Sequence, residues 1–239
     1  MKFACNLQAA SSGRTWCLWL IGVALWLLMV GSFAHGVSES DKGFLQASTG
    51  VQFLPYLYLG AKHMVTGYDH LLFLCGVIFF LHRMKEVGLY VTLFAIGHST
   101  TLLLGVLNGW HINAYVVDAI IGLSIVYRAF DNLGGFQSVL GVQPNKKAAV
   151  LIFGFFHGLG LATKLQDFEL SADGLIPNMI AFNVGVEIGQ LLALGMILIV
   201  MRYWRSTPSF ARHAFAGNIA LMTAGFVLAG FQFTGFLSN

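Results

Sequence analysis

Apolar residues gather in six long runs along the chain from position 64 onward, with short polar segments between them. Each run is close to the roughly 20 residues that an α-helix needs to cross a bilayer. None shows the strict alternation that is typical of a transmembrane β-strand. The pattern predicts an all-α polytopic membrane protein, a six-helix transmembrane bundle. Its predicted spans are 64–81, 87–107, 113–130, 148–165, 175–201 and 214–237, and an aromatic segment at 51–61 is predicted to be an interfacial helix.

An earlier apolar run has the organisation of a secretory signal peptide. Positively charged residues precede an apolar stretch at 16–30, and the segment 32–34 fits a small-x-small cleavage site. We therefore predict a cleavable signal peptide at 1–34 and a single transmembrane domain at 35–239. An uncleaved signal would add a seventh span.

Composition agrees with a membrane location. Hydrophobic residues make up 57% of the chain and charged residues only 10%, whereas a soluble domain carries about 25% charged residues. The net charge of +3 is spread over the loops, so the lipid bilayer is a predicted partner and nucleic acid is not.

Positive charge alternates between successive predicted loops. The loops at 108–112 and 166–174 are uncharged or acidic, and the others are basic. The positive-inside rule then predicts a multi-pass protein of the bacterial inner membrane, with the mature N-terminus and the C-terminus in the periplasm. Lys62 and Lys164, at predicted outer span ends, are the exceptions. The basic loops carry Arg83, Lys85, Arg128, Lys146, Lys147, Arg202, Arg205 and Arg212.

Ionisable side chains recur inside the predicted spans, where a bilayer tolerates them poorly. On insertion scales, a central Asp costs about 2.5–3.5 kcal/mol. At about 1.5 Å per residue, these groups fall between the outer surface and the membrane midplane. We expect them to line one pocket that opens to the periplasm. The ionisable residues are Asp69, His70, His98, Asp118, His157 and Glu187, and the polar residue Asn183 lies at a similar depth.

Helical spacing supports this convergence. His63 and His70 share a helix face, as do Asn183 and Glu187. Imidazole and carboxylate groups without a thiolate cluster suit a divalent transition metal, namely nickel, cobalt, zinc or copper. The predicted metal ligands are His63, Asp69, His70, His98, His157 and Glu187, with Asp118, Asn183 and Gln190 in supporting positions. Considered singly, His98 and His157 are explained equally well by hydrogen bonds in helix packing.

Two glycine pairs have the G-x-x-x-G spacing that lets helix backbones approach closely. They are Gly154 with Gly158 and Gly185 with Gly189. The dipeptides at 97–98 and 157–158 read Gly-His and His-Gly, a match that is too short to indicate an inverted repeat of the transporter type.

The segment 63–70 reads HMVTGYDH and resembles the H-P-x-x-G-x-D-H motif of the HupE/UreJ family of bacterial membrane proteins. Met64 stands where the motif has proline, and the segments 97–102, 153–160 and 182–190 resemble the branch of the family that lacks this proline. The resemblance implies a secondary nickel/cobalt permease of the kind associated with hydrogenase and urease gene clusters. It implies metal ligation for His63, Asp69 and His70.

Three functions fit these observations. The favoured one is a secondary permease or metal-handling protein for a divalent cation, with nickel or cobalt preferred over zinc or copper. The second, an intramembrane zinc hydrolase, would use His70, His98 and His157 as ligands and Asp69 or Glu187 as general base. The third is a haem-binding membrane subunit with His98 and His157 as axial ligands. A homo-oligomer and an accessory subunit stay open, and an enzyme is less favoured than a non-enzymatic role.

Overall fold

The computed structural model describes residues 43, 49–166 and 171–238, so the predicted signal peptide at 1–34 lies outside the described residues. Within the described ranges the regular structure is entirely helical. The helices are α1 (Phe53–Thr66), α2 (Tyr68–Ile78), α3 (Met84–Asn108), α4 (Ala114–Asn132), α5 (Gly135–Leu140), α6 (Lys146–Gln166), α7 (Leu175–Arg205) and α8 (Pro208–Ser238).

Four helices of the described part are long and apolar enough to cross a membrane, namely α3, α6, α7 and α8. Their outward faces carry exposed Leu, Ile, Val and Phe side chains, as expected for surfaces that contact lipid. Helix α4 has 19 residues but includes three charged side chains, and α2 has only 11 residues. The chain is a multi-pass membrane protein of the all-helical class.

The first predicted span is wrong in its boundaries, whereas each of the other five coincides with one helix, with the largest difference at α8, which begins at Pro208 rather than at 214. In place of one helix over 64–81, α1 and α2 meet at Gly67, whose backbone is extended (φ −71°, ψ 99°). Glycine costs about 1 kcal/mol in a helix interior, which makes Gly67 a natural point for the break. The aromatic segment at 51–61 therefore belongs to the first half of a broken helix.

Close helix packing at both glycine pairs is confirmed. A Cβ atom added to Gly154 of α6 would lie 2.6 Å from the carbonyl oxygen of Phe94 in α3. One added to Gly189 of α7 would lie 2.5 Å from the carbonyl oxygen of Ala61 in α1. The backbones touch at these points, so α3 packs on α6 and α1 packs on α7. The second member of each pair makes a contact of the same kind: Gly158 and Gly185.

Helix α1 runs parallel to α7 from one end of the bundle. Asn178 of α7 holds the start of α1, because its Oδ1 accepts from the N–H of Gln52 at 2.7 Å and its Nδ2 donates to the carbonyl of Gly50 at 2.9 Å. We call this end, which also includes Asn108 and Gln166, the Asn108 end. The opposite end, where α2 and α7 finish, is the Arg205 end.

The last carbonyl groups of α2 are capped by side chains from other helices. Arg128 donates to the carbonyl of Val77 at 3.1 Å, and Arg205 donates to the carbonyl of Ile78 and, just beyond the helix, to that of Leu81 at 2.8 Å. The loop charge pattern predicts Arg128 in a basic loop, but it lies within α4, where it is buried and paired with Asp131. The cap satisfies carbonyl groups that have no partner within their own helix.

Candidate metal site

The break between α1 and α2 brings together the three residues of the first predicted motif. The rings of His63 and His70 lie 5.1 Å apart, and Oδ1 of Asp69 is 3.0 Å from Nδ1 of His70. Asp69 is in the first turn of α2, where the helix dipole favours a negative charge. A Cβ atom on Gly67 would lie 2.7 Å from Nδ1 of His70, so glycine at the break leaves the room that this arrangement requires.

Helices α3 and α6 add two further imidazoles to the same centre. The ring of His70 lies 6.0 Å from that of His98 and 5.0 Å from that of His157. All three of these rings are buried. The residues form two groups that are able to hold a metal ion, with the ligand atoms of each group within 4.8 Å of one another. The first group is His63, His70 and His98, and the second is Asp69, His70 and His157.

The hydrogen bonds around the rings leave nitrogen atoms available for a cation. Nδ1 of His157 donates to the carbonyl of Phe153 at 2.7 Å, since a carbonyl oxygen only accepts, and this leaves a lone pair on Nε2. Nδ1 of His70 faces the carboxylate of Asp69 in the same way. A metal-binding imidazole is usually oriented by such a partner. Within the described residues the buried ring nitrogens without a partner are Nε2 of His63, His70 and His157 and both nitrogens of His98.

Aromatic side chains enclose the imidazoles and keep them in place. Phe94 lies 6.1 Å from the ring of His98 and 5.0 Å from that of His157, and Phe73 lies 5.3 Å from His157. Both phenylalanines are almost fully buried. Neither phenylalanine is among the site residues predicted from the sequence. The spacing of four residues between Phe94 and His98 on one helix was the available signal.

Glu187, a predicted ligand, does not join this centre. It is exposed on α7, beside exposed Val184 and Ile188, whereas Asn183 and Gln190 are buried on the inner face. The carboxylate therefore lies just beyond the edge of the buried face of α7. Of the two predicted supporting residues on α7, Gln190 donates to the carbonyl of Val91 at 3.4 Å, and Asn183 donates to that of Met179 at 2.9 Å.

Asp118 forms an ion pair outside the group of histidines. Both of its carboxylate oxygens accept from Nζ of Lys164, at 2.9 and 2.8 Å, across the contact between α4 and α6. Lys164 is not among the predicted site residues, since in the sequence it stands out only as an exception to the charge pattern of the loops. Its position seven residues after His157, on the same face of α6, was the signal that it belongs near the site.

The donor set therefore comprises four imidazoles and one carboxylate, a combination that suits a divalent first-row metal. Comparison with protein families matches residues 39–239, most of the chain, to the family described as HupE / UreJ protein. No curated protein and no solved structure matches the chain.

Proposed function

The chain belongs to the HupE/UreJ family, and from this premise we propose that it is a secondary permease for a divalent transition-metal cation, with nickel or cobalt favoured. One observation carries the proposal. Imidazoles from three parts of the chain converge on a helix break, with buried ring nitrogens that have no hydrogen-bond partner in the described part. An unpartnered buried polar group costs about 1–3 kcal/mol, a cost that coordination of a cation removes.

The depth of the histidines suits transport. At about 1.5 Å per residue, His98 lies about 15 Å from the Asn108 end of α3, and His157 about 14 Å from the end of α6. This is close to the midplane of a hydrocarbon core about 30 Å thick. Secondary transporters commonly bind their substrate at this depth and at interrupted helices. The break at Gly67 provides such an interruption.

The two ends of the bundle differ in a way that gives the cation a direction of entry. We assign the Asn108 end to the periplasm of a bacterial inner membrane, following the charge pattern of the loops. Asp69 is 16% exposed and His70 only 3%, so within this pair the carboxylate is the more accessible to an incoming cation. At the Arg205 end the buried pair of Arg128 and Asp131 closes the bundle.

The alternative functions fit the geometry less well. A zinc hydrolase requires a general base, but Glu187 is exposed on α7, and Asp69 is itself one of the residues expected to hold the metal. A haem would need room between His98 and His157, where Phe94 packs against both rings.

The test is cation entry into proteoliposomes that contain the purified protein, with Ni²⁺, Co²⁺, Zn²⁺ and Cu²⁺ assayed separately. His70→Ala removes the ligand common to both groups, so it is expected to abolish entry of the transported cation. His82→Ala is the matched control, because His82 is exposed in the segment between α2 and α3. Equal entry with His70→Ala and the control, at equal protein content, would refute the proposal. Tightly bound zinc with no entry of any cation would favour the hydrolase.

A further inference from the structure

The ion pair between Lys164 and Asp118 lies directly outside the histidines. Lys164 follows His157 by seven residues on α6, so its Cα is about 10 Å nearer the Asn108 end on the same helix face. Asp118 reaches it from α4, and a Cβ atom on the intervening Gly160 would lie 3.6 Å from Oδ1 of Asp118. The side chain of Lys164 is 20% exposed and that of Asp118 only 6%.

Electrostatic interactions connect this pair to the site. The ammonium group of Lys164 interacts with both His63 and His157. The carboxylate of Asp118 interacts with Tyr68, the residue that precedes Asp69. A cation that enters from the Asn108 end therefore passes a fixed ammonium group, whose charge the Asp118 carboxylate balances, before it reaches the imidazoles.

The charge of Lys164 affects how strongly the site binds a cation, and transport sets limits on that strength. A substrate must bind well enough to enter and weakly enough to leave. Several imidazoles and a carboxylate together bind first-row divalent metals strongly. Within the proposed permease function, on which this inference rests, we propose that Lys164 is a tethered competitor cation that weakens metal binding at the histidines, and that Asp118 holds it in place.

A purely structural clamp between α4 and α6 makes a different prediction. Loss of either partner would then loosen the same helix contact, so both changes would alter metal affinity in the same direction. If the charge acts on the metal, the two changes have opposite effects. Removal of Lys164 leaves a negative charge near the site and tightens binding. Removal of the Asp118 charge leaves an unbalanced positive charge and weakens binding.

The experiment is an equilibrium titration of the detergent-purified full chain with Ni²⁺ and, separately, Co²⁺. Relative to the wild type, Lys164→Met is expected to bind roughly tenfold more tightly and Asp118→Asn roughly tenfold more weakly, for a unit charge acting at about 10 Å in a partly solvated site. The double variant, which lacks both charges, is expected to bind with an affinity between those of the single variants. Lys164→Arg keeps the charge and is expected to bind like the wild type.

Controls separate this inference from the proposed function. If the wild type binds neither cation, or if His70→Ala binds as well as the wild type, the proposed nickel or cobalt site itself is refuted. If His70→Ala loses binding but Lys164→Met does not bind more tightly than Lys164→Arg, the competitor role is overturned. That comparison stands even if Asp118→Asn fails to fold. Shifts of the same sign in Lys164→Met and Asp118→Asn would also overturn it.

Discussion

The contact between α3 and α6 provides the sharpest test of how packing controls the site. In Gly97→Ala, the new Cβ atom would lie 2.5 Å from the carbonyl oxygen of Leu151 and 2.9 Å from the backbone nitrogen of Phe155. Both neighbours are backbone atoms, which cannot move aside as a flexible side chain can. Since ordinary contact begins at 3.4 Å, the helices must separate by about 0.9 Å.

The expected cost follows from two opposing effects. Overpacking of this kind destabilises a protein by about 1–3 kcal/mol. Alanine is intrinsically better than glycine in a helix by about 0.5–1 kcal/mol. At the midpoints of these ranges, Gly97→Ala should lower the free energy of unfolding by about 1 kcal/mol. Because metal ligands must lie within about 0.2 Å of their ideal distances, displacement of His98 should also weaken metal binding at least tenfold, with every ligand still present.

The assay is a denaturant titration in detergent together with the Ni²⁺ titration described above. Gly88→Ala is the matched control on the same helix, since nothing lies within 4 Å of a Cβ atom added there. It should be as stable as the wild type, or slightly more stable, with unchanged affinity. Equal stability and equal affinity for Gly97→Ala and Gly88→Ala would refute the close packing of α3 on α6.

Two further predictions concern residues away from the histidines. Arg128→Met leaves Asp131 buried without its main partner and should destabilise the protein by about 3 kcal/mol. This is the lower part of the range for a broken buried pair, because Gln143 and Lys146 also approach that carboxylate. Thermal unfolding measures the loss against the control Lys147→Met at an exposed site, and equal melting temperatures would contradict the prediction. Glu187→Gln should leave Ni²⁺ affinity unchanged because the side chain is exposed away from the site, and a tenfold loss of affinity in the same titration would show that this carboxylate contacts the metal after all.

The apolar runs predicted most of the helices because a spanning segment must satisfy its backbone hydrogen bonds internally. A spanning helix is therefore visible in the sequence as a long continuous apolar run, and the bounds of α3, α6 and α7 are close to those of the predicted runs. The histidines were also found from sequence, since each ionisable group in an apolar run needs compensation. In the structure, His63, His70 and His98 form one group that could hold a metal ion, and Asp69, His70 and His157 form a second. Metal binding by these residues stays a prediction.

Other features depend on contacts that a linear pattern does not contain. Hydropathy falls over the polar segment 62–70, but a dip of this kind also marks the end of a span, so it did not distinguish a break between two helices from the start of one. Arg128 is a charged residue next to a predicted loop, so the charge pattern places it at the membrane surface. Its burial in α4 depends on its ion pair with Asp131 and its hydrogen bond to the carbonyl of Val77. The position of Glu187 depends on a rotation of about 40° relative to Asn183, which is enough to move it off the buried face.

The mirrored dipeptides at 97–98 and 157–158 have a geometric explanation that requires no internal repeat. Helices α3 and α6 are parallel and touch through Gly97 and Gly158. Each residue of an α-helix is rotated by about 100° from the one before it, in the same sense in both helices. The residue after the contact glycine of one helix and the residue before the contact glycine of the other therefore lie on the same side of the helix pair. His98 follows its glycine and His157 precedes its own, and both therefore face His70, which lies on that side. Two Gly-His dipeptides in the same order would have placed the imidazoles on opposite sides of the pair, too far apart to share a cation.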